Sequence, residues 1–169
     1  VCLMQIEEGL DTGGVIGLRT MAITDSTTAD DIRSQLISEG SQLLIEQLKS
    51  GLDPVVPQIG EATYAEKIDS SELRIDWSWS AHEISRLIRL GNAWTMFRGK
   101  RLKIHQADVI DGTASEVGSM SVTKNSAHVA TGSGTLDLKI VQPEGKPRMD
   151  VVSWINGNQP THGEKLTSD

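Results

Sequence analysis

With 169 residues, 37% hydrophobic content and a formal charge of −7, the chain has the length of one ordinary domain or two small ones and the composition of a packed globular protein. Its apolar runs, such as residues 43–45, fall far short of the roughly 20 residues of a membrane helix, the first residues lack the basic flank of a secretory leader, and Cys2 has no second cysteine to pair with. A membrane-spanning helix, a disulfide scaffold and a uniformly basic nucleic-acid binder are thereby excluded.

The acidic average conceals an asymmetry. Residues 1–69 hold twelve carboxylates against Arg19, Arg33, Lys49 and Lys67, whereas residues 70–169 are nearly balanced. Between Arg86 and Lys103 lie Arg86, Arg89, Arg98, Lys100, Arg101 and Lys103 with no carboxylate among them. Such an imbalance between halves predicts two domains with different partners, the second able to neutralise phosphates.

In chain order, residues 1–6 read as a short buried strand, residues 7–14 as a glycine-rich turn and residues 15–23 as a second strand. The chain opens without Met and inside that first strand, which predicts a truncated chain. Thr28 followed by Asp31 forms a capping-box pattern, and Ile32, Leu36, Leu43, Leu44 and Leu48 follow at helical spacing. Lys49 and Gly51 suit that helix's last turn and stop. One face of this helix is expected to pack on a sheet. Pro54, Pro57 and Gly60 then break regular structure, so residues 53–69 are assigned to an interdomain linker. The domains are accordingly placed at residues 1–68 and 69–169.

A second capping box, Ser80 with Glu83, opens a short helix with Ile84, Leu87 and Ile88 on its apolar face, ending at Gly91. Residues 94–97, 102–109, 118–122, 127–131 and 134–141 then read as five short strands separated by Gly, Asp, Ser and Asn turns. Five such strands fit a small Greek-key barrel of the OB type, although composition alone does not distinguish it from a sandwich. Gly99 is the natural turn of a hairpin at residues 97–100 that would present Arg98, Lys100, Arg101 and Lys103 at a loop tip, where strand alternation would otherwise split them between faces. Residues 149–156, stopped by Gly157, read as a terminal helix, and residues 158–169 as a polar tail.

Several segments together resemble one family. MQIEEGLDTGGVI (residues 4–16) is similar to the end of the catalytic domain of methionyl-tRNA formyltransferases, whose pattern there is M-x-x-x-x-G-L-D-T-G-D. TYAEKI (63–68) and RIDWS (74–78) resemble that family's interdomain segment, and HVATGSGTLDLKIVQPEGKPRM (128–149) resembles its closing barrel strands. Gly14 stands where the family usually has Asp, and GNAWTMF (91–97) lacks the proline-rich form of the family's N-P-W-P segment. The resemblance implies the C-terminal piece of a Rossmann-like formyltransferase domain followed by an OB-type β-barrel with short helices. It also implies formyl transfer from 10-formyltetrahydrofolate to the amino group of methionyl initiator tRNA, in a monomeric enzyme of the bacterial-type cytoplasm or an organellar counterpart.

By that resemblance Asp11 is the catalytic aspartate, in a folate-binding loop with Gly9, Leu10, Thr12 and Gly13. Without it, Asp11 would read as an Asx turn before Gly13. The family's Asn and His lie upstream of this segment, so the chain alone is expected to be inactive. His82, His105, His128 and His162 all fall downstream and read as surface or partly satisfied polar residues, with no metal-ligand spacing among them. Arg98, Lys100, Arg101 and Lys103, then Lys146 and Arg148, are the candidate contacts to the tRNA backbone, with a solvated strand face as the plain alternative. Trp77, Trp79, Trp94 and Trp154 read as core or domain-interface anchors. Two other readings remain open: a different 10-formyltetrahydrofolate-dependent formyltransferase, or an OB-type binding module without catalysis.

Overall fold

Two capping boxes open the first two helices of the computed structural model, which describes residues 1–112 and 116–167. In each, an N-cap hydroxyl accepts from the backbone of the residue three positions on, whose carboxylate accepts in return: Thr28 with Asp31, and Ser80 with Glu83. Both boxes satisfy N–H groups that the first helical turn leaves without partners. The chain divides into two compact units, Val1–Glu66 and Lys67–Asp169.

In the first unit, β1 (Cys2–Met4) pairs antiparallel with β2 (Val15–Leu18), and the chain returns over them as α1 (Ala29–Ser50). Leu43 of α1 is buried, and Gly17 of β2 lies beneath it: a Cβ at Gly17 would meet Leu43 Cδ1 at 3.0 Å. After Gly51 (φ 88°) the chain reverses, and buried Gln47 holds the reversal by donating to Asp53 Oδ2 at 2.6 Å and accepting from Asp53 N at 2.8 Å. The expected packing of one helix face on a sheet holds in part: Leu43 is buried and Ile32 and Leu36 are half-buried, whereas Leu44 and Leu48 are exposed, as are Ile37 and Ile45. Leu43 is the single buried hydrophobic side chain of this unit. It therefore has no core of its own.

The second unit contains the core. After α2 (Ala81–Arg89) come β3 (Trp94–Phe97), β4 (Lys100–Ile110), β5 (Met120–Val122), β6 (Ala127–Ala130), β7 (Thr135–Pro143) and β8 (Met149–Asp150), followed by α3 (Val151–Asn158). The sheet runs β3-β4-β7-β6-β5, antiparallel throughout, with β8 paired to β7. It curls into a half-barrel of OB-like form. The curl is localised at β4, whose register against β7 shifts on both sides of Gln106. Before the shift Leu102 and Ile104 face inward, and after it Ala107 and Val109 do, because an irregularity of one residue exchanges the faces of a strand. Ile75, Ile84, Leu136, Leu138, Val141 and Trp154 are among the side chains that fill the interior. Gly132 is required by a close approach: its N–H donates to Trp77 O and Trp79 O, and a Cβ there would lie 1.8 Å from Ser78 O.

Two expectations need correction. Residues 149–150 are not the start of the last helix. They pair with Val141 and Ile140, so α3 begins at Val151 behind an Asp150 cap and runs through Gly157 to Asn158. Nor is the segment after α3 a polar tail, as far as it is described. Leu166 is buried, and the segment bridges the two ends of the sheet: Thr167 exchanges both backbone hydrogen bonds with Met96 of β3, while Lys165 bridges Ser119 beside β5. A single leucine in a polar run gives little periodicity, yet the open strand edges supply partners for its backbone. Ser168 and Asp169 of the expected tail lie outside the described residues.

The same segment is tied down by charge. Glu164 accepts from Arg98 Nε at 2.6 Å and Arg98 Nη2 at 2.9 Å, and also from Thr161 N at 3.0 Å. The Arg98 hydrogen bonds, more than Thr161, hold the Glu164 carboxyl below its ordinary value of 4.5. A carboxylate depressed in the folded state contributes stability above its unfolded value and loses it as pH falls through the folded one. The melting temperature of the second unit should therefore fall as pH drops below about 4.5, and Glu164→Gln should flatten that dependence while lowering the value at pH 7. Thermal melts of both proteins from pH 7 to pH 3 measure this. The burial pattern further predicts that residues 67–169 alone unfold cooperatively in urea and that residues 1–66 alone show no cooperative transition, as followed by circular dichroism.

Candidate functional site

Each unit carries one cluster of candidate residues. In the first, the loop between β1 and β2 is closed at its base by Gln5 N donating to Gly14 O at 3.0 Å. Gly13 fits against Gln5 so closely that a Cβ would come within 1.8 Å of the Gln5 carbonyl. Gln58 pins the loop from outside, its Nε2 donating to Asp11 O and Gly13 O, both at 2.8 Å, and Thr12 Oγ1 donates to Gly9 O at 3.1 Å. Asp11 sits in the left-handed region (φ 55°), which Asp tolerates better than most residues. Its side chain is exposed, as are those of Leu10 and Thr12. The backbone is thus fixed while a carboxylate projects from it. Gly14, where the resemblance led to an Asp, is buried under residues 55 and 56: a Cβ would meet Val55 Cγ1 at 2.4 Å and Val56 O at 3.0 Å.

In the second unit, β3 and β4 are joined by a two-residue turn, Arg98 and Gly99, both at positive φ (51° and 71°), with Phe97 paired to Lys100. Two successive residues of this kind define the hairpin turn that matches the twist of the strands. The predicted cations then separate by role. Arg98 is committed internally: besides Glu164, its Nη1 donates to Asn158 O at 2.9 Å and its Nη2 to Gln159 O at 3.4 Å, and its guanidinium lies 4.7 Å over the Phe97 ring. It caps the carboxyl end of α3, where a cation is favoured. The hydrogen bonds to Glu164 raise its already high pKa.

Lys100, Arg101, Lys103, Lys146 and Arg148 form no ion pair among the described residues. Arg101 and Lys103 share the outer face of β4, opposite inward-facing Leu102 and Ile104. Arg101 stacks 4.1 Å over the Trp94 ring, whose Nε1 donates to Ser70 O at 2.8 Å, and Lys103 Nζ donates to Asn92 Oδ1 at 3.0 Å. Lys146 lies in the turn between β7 and β8, held by Gln142 Nε2 donating to its carbonyl at 2.9 Å. The structure brings Arg98, Lys100, Arg101 and Lys146 to one cleft of about 780 Å³. Lys103 and Arg148 do not line it.

Sequence reading missed Trp94 as the support of Arg101. The relation becomes legible once the turn is placed at 98–99, because that pairs Trp94 with Lys103 and sets Arg101 on the diagonal. Trp77 and Trp154 are buried, and Trp77 Nε1 donates to Thr95 Oγ1 at 3.0 Å. Trp79 is exposed. Of the histidines, His128 Nε2 lies 3.5 Å from Asp137 Oδ1 and His105 Nε2 bonds Gln142 Oε1 at 2.9 Å. Among the described residues, no group of three or more His, Cys, Asp or Glu is placed to hold a metal ion.

Residues 67–159 match the family described as "Formyl transferase, C-terminal domain". Over the whole length, the chain is 38% identical to a methionyl-tRNA formyltransferase of Streptomyces griseus subsp. griseus, covering 95% of this chain and 55% of that protein. It is also 38% identical to one of Jannaschia sp., covering 98% and 56%, and 36% identical to one of Neisseria gonorrhoeae, covering 98% and 57%. The chain thus spans little more than half the length of the curated relatives it matches. Among solved structures it is similar in fold to a variant of HypX from Aquifex aeolicus (TM-score 0.76, 15% identity, 97% of this chain and 31% of that one). HypX in complex with tetrahydrofolic acid gives a TM-score of 0.73 at 16% identity, covering 91% of this chain and 29% of that one. The sugar 3N-formyl transferase WlaRD gives 0.57 at 15% identity, covering 85% and 54%. By the family match across its second unit and its identity to these relatives, the chain belongs to the formyl transferase family.

Proposed function

We propose that this chain is the C-terminal part of a methionyl-tRNA formyltransferase, which moves a formyl group from 10-formyltetrahydrofolate to the amino group of methionine on initiator tRNA. The observation that carries the reading is identity of 36–38% to such enzymes over 95–98% of the chain, through both units. In this reading the first unit is the end of the Rossmann-like catalytic domain and the second is the OB-type barrel that holds tRNA, in a monomeric, cytoplasmic enzyme. The named activity of the relatives favours it over a sugar formyltransferase. The pinned carboxylate loop favours it over a module without catalysis.

Asp11 and its loop suit the chemistry. The folate co-substrate supplies the activated formyl group. As the amine bonds to the formyl carbon and the bond from that carbon to N10 of the folate breaks, the amine loses a proton and the departing nitrogen gains one, and a carboxylate on a fixed loop can carry it. Gln58 and Gly13 hold the Asp11 backbone in place, so the carboxylate arrives with little reorganisation. Gly9, Leu10, Thr12 and Gly13 form the rest of the proposed folate-binding loop. On the second unit, Lys100, Arg101, Lys103, Lys146 and Arg148 are the cations available for phosphate, whereas Arg98 organises the hairpin and the end of α3.

In the complete enzyme, Asp11→Asn should lower single-turnover formylation by roughly 10²–10⁴-fold, the range of a lost general base, with tRNA affinity unchanged. Quench-flow formylation beside filter binding reads both, and activity within a few-fold of wild type would leave Asp11 a turn residue. Replacing Lys100, Arg101 and Lys103 together with Ala should raise the KM for methionyl-tRNA, leave the folate KM alone, and make the log K against log salt slope shallower by about 2 to 3, close to one per lost phosphate contact. An unchanged slope would reduce the cluster to a solvated face.

A further inference from the structure

The 780 Å³ cleft of the second unit has the volume of a small-molecule site, within the usual range of ~300–1,000 Å³. Phe97, Pro143 and Met149 are among its apolar lining, Lys100 and Lys146 line it without ion-pair partners among the described residues, and Glu144 stands on the same wall, its Oε2 accepting from Arg101 N at 3.0 Å. Its most informative wall is Arg98. Four hydrogen bonds occupy the edge of that guanidinium, to Glu164 twice and to the carbonyls of Asn158 and Gln159. Its Cζ lies 4.7 Å over the Phe97 ring. The side chain is nevertheless 50% exposed and lines the cleft.

A guanidinium with its donors engaged is poorly placed for bidentate binding of a carboxylate or phosphate, but its plane still stacks on an aromatic ring. We infer that this cleft is a subsite for one unstacked nucleotide of the RNA substrate, its base lying on the guanidinium plane of Arg98 over the apolar lining and its phosphate on Lys100 and Lys146. A guanidinium plane, apolar lining and two lysines together match a nucleotide better than an acidic peptide, whose several carboxylates would also face Glu144 on the cleft wall. A paired base within a helix has both faces covered by its neighbours, so the occupant comes from a loop or a single-stranded end. This assignment rests on reading the second unit as the part that holds tRNA.

Gly157 gives access to a clean test. It lines the cleft, lies in α3, and a Cβ built there meets nothing within 4 Å, so Gly157→Leu should fill the cleft and still fold. The first experiment labels the methionine methyl groups of the 169-residue chain and titrates it with AMP, then with inorganic phosphate, by NMR. AMP should shift the Met149 methyl saturably, phosphate alone should leave it in place, and Gly157→Leu should abolish the AMP response while its melt stays like that of wild type. The second measures initiator tRNA binding to the complete enzyme, where Gly157→Leu should weaken affinity roughly five- to 150-fold, as expected for one lost stacked base, with the salt slope shallower by about one because the displaced nucleotide's phosphate also leaves Lys100 and Lys146. A Met149 methyl that ignores AMP, or a Gly157→Leu enzyme with wild-type tRNA affinity, overturns the subsite. Absence of tRNA binding by the unsubstituted enzyme would instead defeat the functional reading, and the AMP titration would still decide the cleft on its own.

Discussion

The second unit depends on how an open sheet disposes of its two edges. β3 and β5 each present backbone donors and acceptors that burial or exposure would leave poorly matched, and the polypeptide supplies its own partner from residues 164–167. Met96 exchanges two hydrogen bonds with Thr167 at one end, and at the other Met120 N and Gly118 O are met by Glu164 O and Leu166 N. Leu166, buried between these contacts, joins the same hydrophobic cluster as Trp77 and Trp154. One short segment therefore closes the half-barrel in backbone and in side chain at once.

From that closure follows the division of labour among the basic residues. Glu164 sits on the closing segment, Arg98 on the hairpin turn, and the carbonyls of Asn158 and Gln159 at the end of α3, so the Arg98 interactions join the hairpin to two pieces of chain 60 to 66 residues on. The charge that composition groups with Lys100 and Arg101 is largely neutralised before any partner arrives. Arg101 is managed differently, by stacking on Trp94, which limits its rotamers without cancelling its charge. A run of four cations in six residues thus contains a clamp, a stacked arginine and two lysines, and only the last three retain their charge for a partner.

Local rules carried the sequence reading a long way. Both capping boxes, the turn at 98–99 and the stop at Gly51 were legible because each rests on contacts within a few residues, and the five strands of the second unit because their short runs and the turn residues between them are local in sequence even though their partners are not. What escaped needed partners distant in the chain. The two-residue β8 is defined only by β7, the buried role of Leu166 only by the strand edges, and the commitment of Arg98 only by Glu164, 66 residues away. In the first unit the helical pattern of α1 was read correctly, but the exposure of Leu44 and Leu48 depends on what stands opposite them, which no local period encodes. Asp11 became a candidate through resemblance to a family. The rigidity of its loop, by contrast, comes from Gln58, 47 residues on.

The turn at Arg98 is a place where local and global optima disagree. A residue of its shape held at φ 51° gives up on the order of 1–2 kcal/mol relative to the right-handed basin, and a hairpin of this geometry would by itself favour Asn-Gly. The deficit is tolerated because the side chain latches the end of α3 and the closing segment. Frustration of this kind marks a site where tuning a protein for stability by turn statistics alone would misfire: Asn at 98 would relax the backbone of the hairpin and unlatch both elements that depend on it.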